Sequence, residues 1–254
     1  MSRSPLPVAP PLPPPPFALL NGAALFLDFD GTLVDIADTP DSVRVDRALV
    51  RLLHALRAGL DGRLAIVSGR SVGTLRQLGL GDFLLAGTHG LELVRPGQPV
   101  DAPVPLPAID AVESRLLAFV ADRPGLLVER KPLSVGLHFR LAPLAADACE
   151  AIATTLAAQF GLHLQRGKML FELRPGGADK GSAVTALMAC TPMSAGVPLF
   201  IGDDVTDEEG FAAAAALGGH GVLVGPHRTT LAAWSLEQVA AVRHYLSEGV
   251  AAMG

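Results

Sequence analysis

Four short stretches of this 254-residue chain carry side chains whose types and spacing could do chemistry. Asp28-Phe29-Asp30-Gly31-Thr32 follows the apolar run Ala23–Leu27. On extended backbone, carboxylates two residues apart point the same way. Ser68-Gly69-Arg70 follows a second apolar run, Leu64–Val67. Lys180-Gly181-Ser182 opens a helical pattern, and Gly202-Asp203-Asp204 follows the run Pro198–Ile201, with Asp207 just beyond. Carboxylates gathered at one sheet edge repel one another unless a cation lies between them. Oxygen-only ligands at that density suit Mg²⁺. The candidate ligands are Asp28, Asp30 and Asp203, with Asp204 and Asp207 behind them.

This set fits phosphoryl transfer. Asp28 is the candidate nucleophile, able to form an aspartyl phosphate. Asp30 is the candidate acid and base, protonating the leaving alcohol and then taking a proton from water. Such help is worth about 10²–10⁴ in rate. Ser68 and the Gly69 amide are placed to hold phosphate oxygens. Lys180 joins them, because two carboxylates, a phosphate of about −2 and a divalent cation leave an excess of negative charge.

The elements that must position these groups are legible as patterns. Phe83–Ala86 is a third apolar run, and Leu49, Leu52, Leu53, Leu56 and Leu60 recur at helical spacing between the first two. Strand, helix, strand is the pattern of a parallel sheet with crossover helices. It returns late, with a helix over Gly181–Ala189, a strand at Pro198–Ile201, a helix over Glu208–Leu217 and a strand at Gly221–Val224. Thr206 with Glu209 fits a capping box, and Asp179 is placed to cap the helix that Lys180 begins. Open α/β sheets carry their sites at the C-terminal strand ends, where all four stretches fall.

The middle of the chain breaks the alternation. Ile109, Val112, Leu116 and Phe119 mark one helix, and Leu144, Ala148, Ile152, Leu156 and Phe160 a second. Leu133 to Leu141 alternates apolar with polar, as does Lys168 to Leu173, which reads as half-buried strands. The expected architecture is α/β: a Rossmann-like, doubly wound parallel-sheet core with an inserted α+β cap. Its divisions are a proline-rich leader (1–16), core (17–103), cap (104–175) and core again (176–254). The leader, with eight prolines between Ser4 and Pro16, reads as a polyproline-II-like tail outside the packed fold.

Composition narrows the field. Half the residues are hydrophobic and 18% are charged, which excludes a disordered or coiled-coil chain. The best apolar stretch, Phe17–Leu27, is too short for the ~20 residues of a membrane span. A net charge of −5 argues against nucleic acid as a partner. Cys149 and Cys190 cannot make a disulfide framework. The prolines leave no room for a secretory h-region, so a cytoplasmic protein, a monomer without membrane contact, is expected. Only three of 20 basic residues are lysine, namely Lys131, Lys168 and Lys180. Lysine is a compact point charge that the wide fork of arginine cannot replace in a small space.

Asp28-Phe29-Asp30-Gly31-Thr32-Leu33, Ser68, Lys180 and Gly202-Asp203-Asp204 with Asp207 resemble, in order, the four motifs of haloacid dehalogenase superfamily phosphatases. The strings Ser68-Gly69-Arg70, Gly87-Thr88-His89-Gly90, Glu129-Arg130-Lys131, His138-Phe139-Arg140, Gly167-Lys168, Glu172-Leu173-Arg174-Pro175 and Asp179-Lys180-Gly181 resemble its trehalose-6-phosphate phosphatases. The resemblance runs from about Leu25 to the C-terminus. It implies a Mg²⁺-dependent hydrolase that takes a sugar phosphate and releases trehalose and phosphate. The alternatives are a phosphatase for another sugar phosphate, such as sucrose phosphate, and a phospho-accepting regulatory module. Within the cap, Glu129 with Lys131 and Lys168 with Glu172 are expected to face one way in pairs. Sugar hydroxyls want both acceptors and charged donors. These four, with Arg70, His89 and Arg140, are the candidate substrate contacts.

Overall fold

A computed structural model describes residues 12–37, 39 and 42–253. The apolar runs become buried strands because one sheet is covered on both faces. Numbered along the chain, its strands are β1 (Ala23–Leu27), β2 (Leu64–Val67), β3 (Leu84–Gly87), β4 (Glu92–Val94), β9 (Val197–Gly202), β10 (His220–Val224) and β11 (Trp234–Leu236). Their order is β11-β10-β9-β1-β2-β3-β4, parallel except for β4. Alternate residues of β1 feed two cores. Leu25 and Leu27 pack with leucines of α1 (Arg47–Gly59), with Val72 and Leu75 of the short α2 (Val72–Leu75), and with Val242 and Leu246 of α7 (Val239–Met253). Ala24 and Phe26 pack on the other face with Val184 of α5 (Lys180–Met188) and Phe211 of α6 (Glu208–Ala216). The core is doubly wound, as expected. Edge strands β4 and β11 and helix α7 are additions to the sequence reading. Three-residue strands are too short to show a period.

The remaining strands, β5 (Leu127–Arg130), β6 (Val135–His138), β7 (His163–Gly167) and β8 (Leu170–Arg174), form a separate antiparallel sheet in the order β5-β6-β8-β7. Helices α3 (Ala108–Val120) and α4 (Ala146–Phe160) cover one face, giving a third core around Ile109, Leu116, Leu137, Leu156 and Leu173. The face of α4 differs from the expected stripe. Cys149, Ala153, Leu156 and Ala157 are buried, while Leu144 is fully exposed. A spacing of four drifts about 40° per turn against a 3.6-residue helix, so that stripe winds off the contact face.

The leader lies outside the described residues up to position 11, and its last residues differ from expectation. Pro13 O accepts from Ser235 N on edge strand β11, Leu12 O from Ser235 Oγ, and Pro16 O from the Tyr245 hydroxyl. Proline donates no backbone hydrogen bond but still accepts, which suits it to an edge strand with a free N–H. Among the described residues no helix is long and apolar enough to cross a membrane.

Candidate active site

Strand β1 lies between β9 and β2, so the crossovers leave it in opposite directions and open a crevice at its C-terminal end. Asp28 is the first residue past β1 and is 4% exposed. Asp203 and Asp207 follow β9, and Lys180 opens α5 under an Asp179–Ser182 capping box, as expected. Lys180 Nζ donates to Asp28 Oδ1 and Asp207 Oδ1, each at 2.6 Å. Burial alone would lower the Lys180 ammonium, but Asp207 and Asp28 outweigh it and raise it. The same burial, with Asp207, pushes the Asp28 carboxyl well up.

Asp28, Asp203 and Asp207 each bring an oxygen within 4.8 Å of the others. Burial and the neighbouring Asp207 push Asp203 up to about 6, and its buried Oδ1 has no hydrogen-bond partner. Hard oxygen donors, excess negative charge and an orphaned acceptor together fit a divalent cation. Gly31 makes room for this. Its φ is +86°, and a Cβ there would sit 2.2 Å from Asp203 Oδ2.

The carboxylate of Asp30 is outside that cluster, unlike the expected ligand set of Asp28, Asp30 and Asp203. Arg70 grips both its oxygens, at 2.7 and 2.9 Å. A guanidinium fork matches a carboxylate edge-on, which turns Asp30 along the rim of the cavity. Asp207 moves the other way. Expected behind the metal, it contributes to the oxygen cluster while its Oδ2 also accepts from Asp204 N at 2.8 Å. The capping box here is Asp204 with Asp207, in place of Thr206 with Glu209. Ser68 is 1% exposed, and its Oγ accepts from Arg70 N. His89, at φ +55°, lays its ring against Gly69, where a Cβ would come within 2.7 Å of Nε2.

One cavity is lined by every expected site residue except the fully buried Asp207. Lys131 Nζ donates to Glu172 Oε2 at 2.7 Å and to Gly69 O at 2.9 Å. Glu129 Oε2 meets His138 Nε2 at 2.9 Å and stands 3.9 Å from Lys131 Nζ. Lys168 lies in the turn before β8, 3.5 Å from Asp203 Oδ2. Arg140 braces that turn through Lys168 O. Like facing alone did not tell these partners, which come both from neighbouring cap strands (Glu172, His138) and from the core (Gly69 O, Asp203). Lys131 and Lys168 therefore touch the core loops that carry Ser68 to Arg70 and Asp203.

Glu172 is 1% exposed and also accepts from Ser134 Oγ at 2.6 Å. Burial alone would raise its carboxyl, but Lys131 and His89 hold it far below the usual carboxylate range. A carboxylate with a depressed pKa stabilises fully above its unfolded value, near 4.3, and loses that contribution as pH falls below it. Glu172→Gln is expected to lower Tm by about 5–10 °C at pH 7, because buried Lys131 keeps only the more distant Glu129, 3.9 Å away, as a charge partner. Its Tm should then fall less than that of the unaltered protein between pH 6 and 3.5. Parallel melting curves across that range would refute the pairing as a source of stability.

The cavity also holds residues the sequence reading passed over. Gln165 of β7 and His138 of β6 sit at polar positions of alternating strands, so the signal was present. Ile36, Ala37, Thr39 and Val43 belong to the loop before α1. Only the folded path of that loop brings them there.

Comparison with known proteins adds to this geometry. The trehalose-phosphatase family model matches residues 26–238. A probable trehalose-phosphate phosphatase of Sinorhizobium fredii is 38% identical over 210 residues, covering 82% of this chain and 79% of that protein. The trehalose-6-phosphate phosphatase of Escherichia coli is 38% identical over 227 residues, covering 88% and 85%. The C-terminal domain of the C. albicans trehalose-6-phosphate phosphatase superposes with a TM-score of 0.81 at 24% identity, covering 94% of this chain and 98% of that one, which speaks for the fold. The matched span reaches from β1 through the cap to β11 and so takes in Asp28, Lys131, Glu172, Lys180 and Asp203 together: the chain belongs to the trehalose-phosphatase family.

Proposed function

We propose that the protein hydrolyses trehalose 6-phosphate to trehalose and phosphate through an aspartyl phosphate on Asp28, with Mg²⁺ as its cation. The observation that carries this is that Asp28 and Lys180, tied to Asp207 behind them, open into the same cavity as the charged residues of the cap. Asp28 attacks phosphorus and the bond to the sugar oxygen breaks. Asp30, oriented by Arg70, gives that oxygen its proton. Asp30 then takes a proton from water as the water attacks the aspartyl phosphate, releasing phosphate and restoring Asp28. Lys180 offsets the repulsion between the carboxylate nucleophile and the phosphate, while Ser68 and the Gly69 amide hold its remaining oxygens. Asp203, Asp28 and Asp207 would hold the cation, which would draw charge off the phosphate oxygens. Glu129, Lys168 and Arg140 face the sugar, and the closed cap excludes bulk water from the acyl phosphate.

The test is phosphate release from trehalose 6-phosphate, sucrose 6-phosphate, glucose 6-phosphate and p-nitrophenyl phosphate, each with Mg²⁺ and with EDTA. The expected result is a kcat/KM for trehalose 6-phosphate at least about 100-fold above the other sugar phosphates, abolished by EDTA. Equal rates on all sugars would overturn the substrate, and full activity in EDTA would overturn the cation. A stable phosphoprotein without turnover would point to a regulatory module.

A further inference from the structure

We infer that Asp204 is the core half of a latch that holds the cap closed, with the amide of Lys168 as its other half. Asp204 follows Asp203 in sequence, but its carboxylate is outside the oxygen cluster of Asp28, Asp203 and Asp207. Its Oδ1 accepts from Val205 N at 2.7 Å, within its own turn. Its Oδ2 turns to the cap and accepts from Lys168 N at 3.2 Å. The donor is main chain, so this contact does not depend on the lysine side chain.

Both halves are fixed from behind. Asp204 N donates to Asp207 Oδ2, and Asp204 O accepts from Arg228 Nη2 at 2.7 Å. Arg228 is itself ion-paired to Glu208, which also accepts from Leu231 N. On the cap side, the β7–β8 turn is set by Met169 at φ +63°, and Arg140 donates to Lys168 O. Gly167 brings the turn to van der Waals distance of Asp204, a Cβ there lying 3.6 Å from Asp204 Oδ2. One turn of the cap thus meets two consecutive residues of the core, Asp204 through its backbone and Asp203 through the Lys168 ammonium. Closing the cap over the sugar and fixing the loop that carries Asp203 become one movement. This deepens the proposed reading of a cap-covered phosphatase, but the latch is testable without turnover.

The experiment is amide hydrogen exchange on the full chain, following residues 167–169, with Mg²⁺ affinity measured by calorimetry on the same preparations. Asp204→Ala should speed exchange at the turn by about 10-fold, as expected for losing a hydrogen bond to a charged group. Mg²⁺ affinity should change less than about twofold. Asp204→Asn keeps an acceptor oxygen and should restore much of the protection, which also guards against a folding defect in the alanine variant. With trehalose 6-phosphate, KM should rise by about 3- to 10-fold in Asp204→Ala, with a smaller fall in kcat. Unchanged exchange in the alanine variant, or equal exchange in both variants, overturns the latch. A tenfold loss of Mg²⁺ affinity overturns it too, by making Asp204 a metal-site residue. Failure of the unaltered protein to hydrolyse any phosphate ester would sink the functional reading, while the exchange result would still decide the latch.

Discussion

Asp28→Asn is expected to lower turnover of every phosphate ester by about 10⁴-fold or more while leaving the fold intact. An amide has the shape of the carboxylate but no nucleophilic oxygen, so neither trehalose 6-phosphate nor p-nitrophenyl phosphate escapes the loss. The fold should survive because Asp28 is not what satisfies Lys180 alone. Asp207 still accepts from the ammonium at 2.6 Å. Burial and the neighbouring carboxylates already push the Asp28 carboxyl up, so replacing it with a neutral group relieves repulsion in the cluster. Tm should therefore hold or rise slightly. Initial rates on both substrates, beside a thermal melt of the same preparation, check both halves. Residual turnover within about 100-fold of the unaltered protein, from a folded Asp28→Asn variant, would remove the covalent route, since a loss that small is no more than one electrostatic contact costs.

The core site was legible because its groups, apart from Lys180 at a helix start, are polar residues at the ends of short apolar runs. A parallel sheet brings such ends to one edge whatever the crossovers contain. The same reasoning read Glu129 with Lys131 and Lys168 with Glu172 as facing one way, and all four do line one cavity, but it left their partners open for a definable reason. Strand alternation tells which side chains share a face, but not what that face is pressed against. Here it is pressed against the core, so Lys131 reaches Gly69 O as well as Glu172 of its own sheet, and Lys168 meets Asp203. The partner of the Asp30 carboxylate was hidden in the same way. Both carboxylates point into the crevice, yet Arg70, 40 residues on in sequence, captures the second one. The loop carrying Ile36, Ala37 and Val43 gave no signal, because its position over the cavity is a property of the chain's path. The packed end of the leader was hidden for another reason: its composition marks a polyproline-II-like tail and says nothing of what its carbonyls meet.

Lys180→Met carries the largest expected cost to the folded state, and that cost has a pH signature. Methionine nearly matches the lysine stem in volume, so packing is spared and the charge is what is lost. Lys180 is 3% exposed and bridges two carboxylates that are themselves buried. Removing one member of a buried ion pair costs about 3–5 kcal/mol, because the partner's charge is left uncompensated. For a chain of this size that is a fall in Tm on the order of 10 °C. The stranded carboxylates can escape by taking up a proton, which raises their folded pKa above the unfolded value. The native state then binds more protons than the unfolded chain, so stability falls as pH rises. The deficit of the variant should be larger at pH 8 than at pH 5. Added Mg²⁺ should recover part of it at pH 8, since a cation that binds only the folded state stabilises by mass action. Activity should drop by about 10²–10³ even with saturating Mg²⁺, because the cation cannot stand where the ammonium stood between Asp28 and Asp207. Melting curves at the two pH values, with and without MgCl₂, separate these effects. A deficit equal at pH 5 and pH 8 and blind to Mg²⁺ would mean that Lys180 contributes by packing, and the electrostatic account of the site would fail at its centre.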